Sequence, residues 1–139
     1  MTCIFCAIRD GQIPSVRVYE DERIIAFMDI NPLTDGHLLV VPKAHAETIW
    51  ELSDEDARAV MSAARKLAHA IRHALAPDGL NLVQANGRAA HQTVFHFHLH
   101  LIPRWANDGK HLSWPVTPGQ PDHIRGLGQR IATAVGQVS

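Results

Sequence analysis

The 139-residue sequence predicts an α+β fold: an antiparallel sheet of about five strands, one long helix, and a short or C-terminal helix. Three observations carry this. Short apolar or alternating segments stand on both sides of one long stretch of helical periodicity, turn-forming residues separate them, and the order of elements is strands, helix, strands. Residues 16–20 alternate as a strand, Asp21 and Glu22 make a turn, and residues 23–30 read as the hairpin partner, stopped by the turn-rich stretch 31–36. Residues 37–42 are a nearly continuous apolar run, long enough for a central strand, too short for a helix, and closed by Pro42. Ser53, followed by Asp54, Glu55 and Asp56, is a helix N-cap with acids in the first turn. Val60, Ala64, Leu67, Ile71 and Leu75 then recur at helical spacing until Ala76, Pro77, Asp78 and Gly79 stop it. A strand follows over 80–85, a loop over 86–90, and a last strand over 94–103. Prolines 115, 118 and 121 imply an extended loop, and residues 122–138 form a terminal helix despite Gly126, Gly128 and Gly136. The expected organisation is a single domain over 1–139, its sheet covered on one face, with 105–139 as a C-terminal tail.

Thirteen basic and 14 acidic side chains give a formal charge of −1, and no Lys/Arg run stands out, which argues against a nucleic-acid groove or a membrane-surface patch. No stretch reaches the roughly 18 apolar residues of a membrane span, and the N-terminus lacks a signal-peptide layout, so a cytoplasmic location is expected. The two cysteines, Cys3 and Cys6, lie three apart, and in a reducing compartment they point to metal or redox chemistry and not to a structural bridge.

His96, His98 and His100 stand at two-residue spacing, interleaved with Phe95, Phe97, Leu99 and Leu101. On a strand the imidazoles share one face and the apolar side chains the other. Same-face Cα atoms two residues apart are separated by about 6.6 Å, and the outer pair by about 13 Å, so the three rings cannot comfortably grip one ion. The row divides between two tasks. Cys3 and Cys6 need two more ligands for a closed structural zinc set, and His45, just past the end of the central strand, and His96 are the best-placed completions. A redox pair would follow a strand, and nothing precedes this one. His98 and His100 are then left facing a shared pocket, with Asn86, Gly87, Gln92 and Thr93 bringing amide, hydroxyl and backbone donors suited to phosphate oxygens. His69 and His73, four apart on the long helix, read as a solvated face, and His91, His111 and His123 as surface histidines.

The stretch Gln92-Thr93-Val94-Phe95-His96-Phe97-His98-Leu99-His100-Leu101-Ile102 resembles the signature of the histidine triad (HIT) superfamily of nucleotide hydrolases and transferases. The resemblance extends to Ile4-Phe5-Cys6-Ala7-Ile8, Ile13-Pro14, Ala26-Phe27-Met28-Asp29-Ile30-Asn31-Pro32 and Gly36-His37-Leu38-Leu39-Val40-Val41-Pro42-Lys43, covering residues 1–104; Trp114-Pro115 resembles the tryptophan-proline of the Hint branch but comes later. It implies a catalytic set of His98, His100 and His37. His98 would attack the α-phosphorus of a nucleoside phosphoramidate, acyl-nucleotide or dinucleoside polyphosphate, giving a nucleotidyl-histidine that water hydrolyses. His100 would bind phosphate oxygen and assist the leaving group, and His37 would join the imidazole network. Asn86, Gln92 and Thr93 would hold phosphate oxygens, Asp29 the ribose hydroxyls, and Phe5, Phe27 and Ile30 would wall a purine base. The histidine at position 100 favours a hydrolase, because transferase branches carry glutamine there. Similar members with an N-terminal Cys-x-x-Cys bind structural zinc through positions equivalent to Cys3, Cys6, His45 and His96, and the superfamily implies a homodimer that extends the sheet. Two other readings compete: a nucleotide-binding sensor or scaffold that barely turns over, and a redox or zinc-handling protein with a metal-loaded histidine row. A covalent adduct on His98 and the metal content per chain separate them.

Overall fold

The structure, a computed structural model, describes residues 3–138. Its elements run α1 (Ile4–Arg9), β1 (Arg17–Glu20), β2 (Ile24–Met28), β3 (Leu38–Pro42), α2 (Asp54–Leu75), β4 (Gly79–Val83), a 3-10 turn (Arg88–Ala90), β5 (Leu99–Arg104) and α3 (Pro121–Val135). The five strands form one antiparallel sheet in the order β1-β2-β3-β5-β4. Among the described residues no helix is long and apolar enough to cross a membrane.

The register decides which side chains meet. Phe27 pairs with Leu39, and Leu39 with His100, so these three share a row on one face. Two residues along, the Asp29 N–H donates to the His37 carbonyl at 3.0 Å, extending the row pattern with an acid and a fourth imidazole. The opposite face carries Ile24, Ala26, Leu38, Val40, Leu99 and Leu101, buried beneath Val60, Ala63, Ala64, Leu67 and Ile71 of α2. Ser53 caps α2, its Oγ accepting from the Asp56 N–H at 3.1 Å. The helix stops at Ala76 in a left-handed conformation, φ 49°, one residue before Pro77.

Three features depart from expectation. The sheet is covered on both faces: α1 lays Phe5 and Ile8 against Ile25, Phe27, Leu39 and Val41 in a second buried cluster. The strand expected over 94–103 joins the ladder only at Leu99, because the preceding segment bends across the loop after β3, where the Phe97 N–H donates to the Ala46 carbonyl at 2.7 Å. That bend leaves Phe95 half-buried beneath the Arg88 guanidinium, 5.3 Å from its ring centre, and outside the core, whereas Phe97, Leu99 and Leu101 pack under α2 as the alternation requires. Leu75 lies 43 % exposed at the end of α2, although it still presses on Gly36, where an added Cβ would sit 2.5 Å from its Cδ1.

The tail behaves as its prolines predict. Residues 105–120 hold no strand or long helix, and α3 has no buried residue.

Candidate functional site

Cys3 caps α1, its Sγ accepting from the Cys6 N–H at 3.4 Å, so one short helix presents both sulfurs on the same side. His45 enters from the loop after β3 and His96 from the bent approach to β5. The Nδ1 atoms of the two rings lie 3.1 Å apart, Cys3 Sγ is 3.3 Å and Cys6 Sγ 3.6 Å from His96 Nδ1, and Cys6 Sγ is 3.6 Å from His45 Nδ1. Zinc with bonds of about 2.0 Å to nitrogen and about 2.3 Å to sulfur sets tetrahedral N–N edges of about 3.3 Å and N–S edges of about 3.5 Å, close to these separations, so the four side chains fit such an ion. His96 is fully buried, and burial depresses its pKa. Its Nε2–H donates to the Pro42 carbonyl at 2.7 Å, which turns the Nδ1 lone pair toward the sulfurs.

Beside this cluster opens a cavity of about 330 Å³, lined by Phe5, Phe27, Asp29, Thr93, His98 and His100, with Ile4, Ile13, Pro14 and Val94 adding apolar surface. Phe5 meets the His98 ring edge-on at 5.0 Å and 88°, and Phe27 at 5.4 Å. The His98 Nδ1–H donates to the His96 carbonyl at 2.7 Å; its Nε2 is left with a free lone pair. His37 Nε2 and His100 Nδ1 lie 2.9 Å apart, with the Asp29 carboxylate 3.4 Å from the first and 3.9 Å from the second. Burial, with His98 and His37 adding to it, pushes the pKa of His100 down to about 4. Burial also lowers those of His98 and His37.

Not every expected contributor reaches the cavity. Ile30 stands at the rim, 86 % exposed, and forms no enclosed wall. Asn86 accepts from the Ile49 N–H at 2.7 Å and exchanges amide bonds with Gln84. Gln92 is buried, accepting from the Gly87 N–H at 2.7 Å and donating to the carbonyls of Glu47 and Val94. Both amides therefore brace loops and lie outside the cavity lining. His37 is buried behind His100 and does not line it either. Sequence reasoning assigned no element to α1 and overlooked the Pro42 carbonyl and Val94; the only signal for Ile13 and Pro14 was the family resemblance. A larger cleft of about 630 Å³ between the β1–β2 turn and α2, lined by Tyr19, Arg23, Lys66 and His69 among others, shares no residue with the imidazole cluster.

An imidazole row leading into an interior strand, with one ring turned toward two sulfurs and the next open to a cavity, defines a histidine-triad class of domain. A family model described as HIT domain matches residues 10–107, and the chain belongs to the HIT family. It is 41 % identical over 136 residues to adenosine 5'-monophosphoramidase hnt1 of Schizosaccharomyces pombe, covering 97 % of this chain and 99 % of that one. A crystal structure of a HIT-family member from Bacillus subtilis superposes with a TM-score of 0.89 at 43 % identity, covering 96 % of each chain. A Zn-bound histidine triad family protein from Mycobacterium smegmatis matches with a TM-score of 0.76 at 37 % identity, over 99 % of each chain.

Proposed function

We propose that the protein is a nucleotidyl hydrolase acting on the α-phosphorus of purine nucleoside phosphoramidates or related acyl-nucleotides and dinucleoside polyphosphates. The observation that carries this is the free Nε2 lone pair of His98, aimed by its Nδ1 bond to the His96 carbonyl and bordering a cavity lined by both an acid, Asp29, and the phenyl rings of Phe5 and Phe27. His98 Nε2 forms a bond to phosphorus as the P–N bond of a phosphoramidate breaks; the amine leaves with the bonding pair and takes a proton from water. The positive charge that develops on the ring is offset by the His96 carbonyl. Water then attacks phosphorus, returning neutral His98 and the nucleoside monophosphate. Asp29 accepts the ribose hydroxyls, Phe5 and Phe27 wall the base with Ile30 at its rim, and Thr93 and His100 donate to phosphate oxygens. Asn86 and Gln92 act by holding the loops that present Thr93.

Cys3, Cys6, His45 and His96 would hold a structural zinc ion, which would fix α1 and the approach to β5 and supply no chemistry to the reaction. The phosphoramidase name of the fission-yeast relative and the zinc-bound mycobacterial neighbour support these assignments.

A homodimer accounts for the tail. Ile124, Leu127, Ile131 and Val135 recur at helical spacing on α3 and are all exposed. This 15-residue helix buries none of its own residues, and a second copy is its proposed cover.

Incubation of the purified protein with adenosine 5'-phosphoramidate tests the activity. Stoichiometric release of AMP and ammonia over many turnovers is expected. Tight AMP binding without release would establish the sensor reading instead.

A further inference from the structure

We propose that His37 is a positioning residue that fixes which nitrogen of His100 carries its proton, and that the backbone amide of Leu33 dictates the choice. This rests on the reading that His98 and His100 face a phosphoryl substrate. The Leu33 N–H donates to His37 Nδ1 at 2.9 Å, and an amide N–H cannot accept. His37 Nδ1 must therefore present its lone pair. A neutral imidazole carries one N–H, so that of His37 is on Nε2, 2.9 Å from His100 Nδ1. His100 Nδ1 is then the acceptor, and the His100 proton sits on Nε2. No buried side-chain nitrogen lacks a partner among the described residues, and His100 Nε2 has none in the protein, so it opens to solvent on a ring that lines the cavity.

The reverse polarity fails on simple counting. A His100 Nδ1–H would need a lone pair on His37 Nε2; with Nδ1 also accepting, His37 would hold no proton at all. A doubly protonated His37 would aim its Nδ1–H at the Leu33 N–H. The chain Leu33, His37, His100 thus orients a donor on the ring that lines the cavity. His100 thereby supplies a fixed Nε2–H toward a phosphoryl oxygen. Asp29, 3.4 Å from His37 Nε2, shares the same proton as a second acceptor. The same logic keeps a metal out of Asp29, His37 and His100, although their ligand atoms lie within 4.8 Å of one another: the nitrogen of His37 that would bind it is already protonated.

Nitrogen-15 spectra of histidine-labelled, zinc-loaded protein without substrate at neutral pH read the protonation directly. His37 and His100 are expected Nε2-protonated and His98 Nδ1-protonated, with one zinc per chain. In His37→Phe, which has a ring but no donor, His100 becomes a mixture of both forms, kcat falls about tenfold and KM moves less than about twofold. His37→Gln, whose side-chain amide can donate to His100 Nδ1, restores the Nε2-protonated form and part of the lost kcat. A wild-type His100 carrying Nδ1–H or a full positive charge overturns the proposal, as does an unchanged His100 pattern in folded His37→Phe. Should that variant not fold, the wild-type spectrum decides. Failure of the wild type to turn over phosphoramidate would sink the proposed reaction and leave the spectra to judge the hydrogen-bond chain.

Discussion

Two imidazole-bearing clusters adjoin each other at the approach to β5, and their rings are turned in opposite senses. In the Cys3-Cys6-His45-His96 cluster the His96 ring gives its Nε2–H to the Pro42 carbonyl and turns Nδ1 toward sulfur; in the other, His98 gives its Nδ1–H to the His96 carbonyl and turns Nε2 toward the cavity. One backbone carbonyl per ring decides whether the lone pair is turned toward the sulfurs or left bare toward the cavity. The lesson is that a row of histidines is read by what each second nitrogen does, more than by the spacing of the row.

The largest effects should separate the clusters cleanly. His98→Ala is expected to lower kcat by about 1,000-fold or more while leaving the thermal midpoint within a few degrees, since only one reacting group is lost. Cys3→Ser should do the reverse in emphasis: a structural zinc site is worth roughly 10 kcal/mol of apparent binding energy, so loss of a ligand lowers the midpoint by about 10 °C or more and takes activity with it through Phe5. A chelator should reproduce the Cys3→Ser shift in wild type and add nothing to the variant. Calorimetry and a phosphoramidate assay on both variants check this; a Cys3→Ser protein as stable as wild type would erase the distinction.

The long helix, the two central strands and the general position of the histidine row were legible because each depends on periodicity over many residues. The cysteine pair with His45 and His96 was legible because zinc ligand arithmetic leaves few completions. Other features were hidden for physical reasons. The six residues of α1 are fewer than two turns and are capped by a cysteine, not by a usual capping residue. The late start of β5 and the exclusion of Phe95 follow from backbone bonds of the loop after β3, which no side-chain pattern records. The inward commitment of Asn86 and Gln92 depends on loop partners at Ile49, Glu47 and Gly87, distant in sequence or in the backbone. The Leu33 amide carries no sequence signal, because any residue except proline supplies it.

A middle-sized effect sharpens the contrast through pH. His100 faces His98, His37 and Asp29, and its folded pKa of about 4 lies below the 6.5 of an unfolded histidine. Above pH 6.5 neither state binds the proton; as pH falls from 6.5 toward 4 the unfolded chain gains it first, so stability is lost in that window, by about 2 to 3 kcal/mol from this ring. Denaturant melts of wild type and His100→Gln across that range should show a shallower loss in the variant, metal release being common to both. Equal slopes would mean that His100 is not held neutral.

The smallest effect on either cluster should come from the tail. Replacing Leu127 and Ile131 by Asp is expected to convert a dimer to a monomer in light scattering, with the zinc content unchanged. A wild-type monomer would remove the proposed role of α3.

The division of labour between neighbouring rings is tested most directly by stopping the reaction in its first turnover and mapping the modified peptide. A nucleotidyl group is expected on His98 alone, in protein that retains its zinc. A nucleotidyl group on His96 or His100, or zinc coordinated by His98, would contradict it.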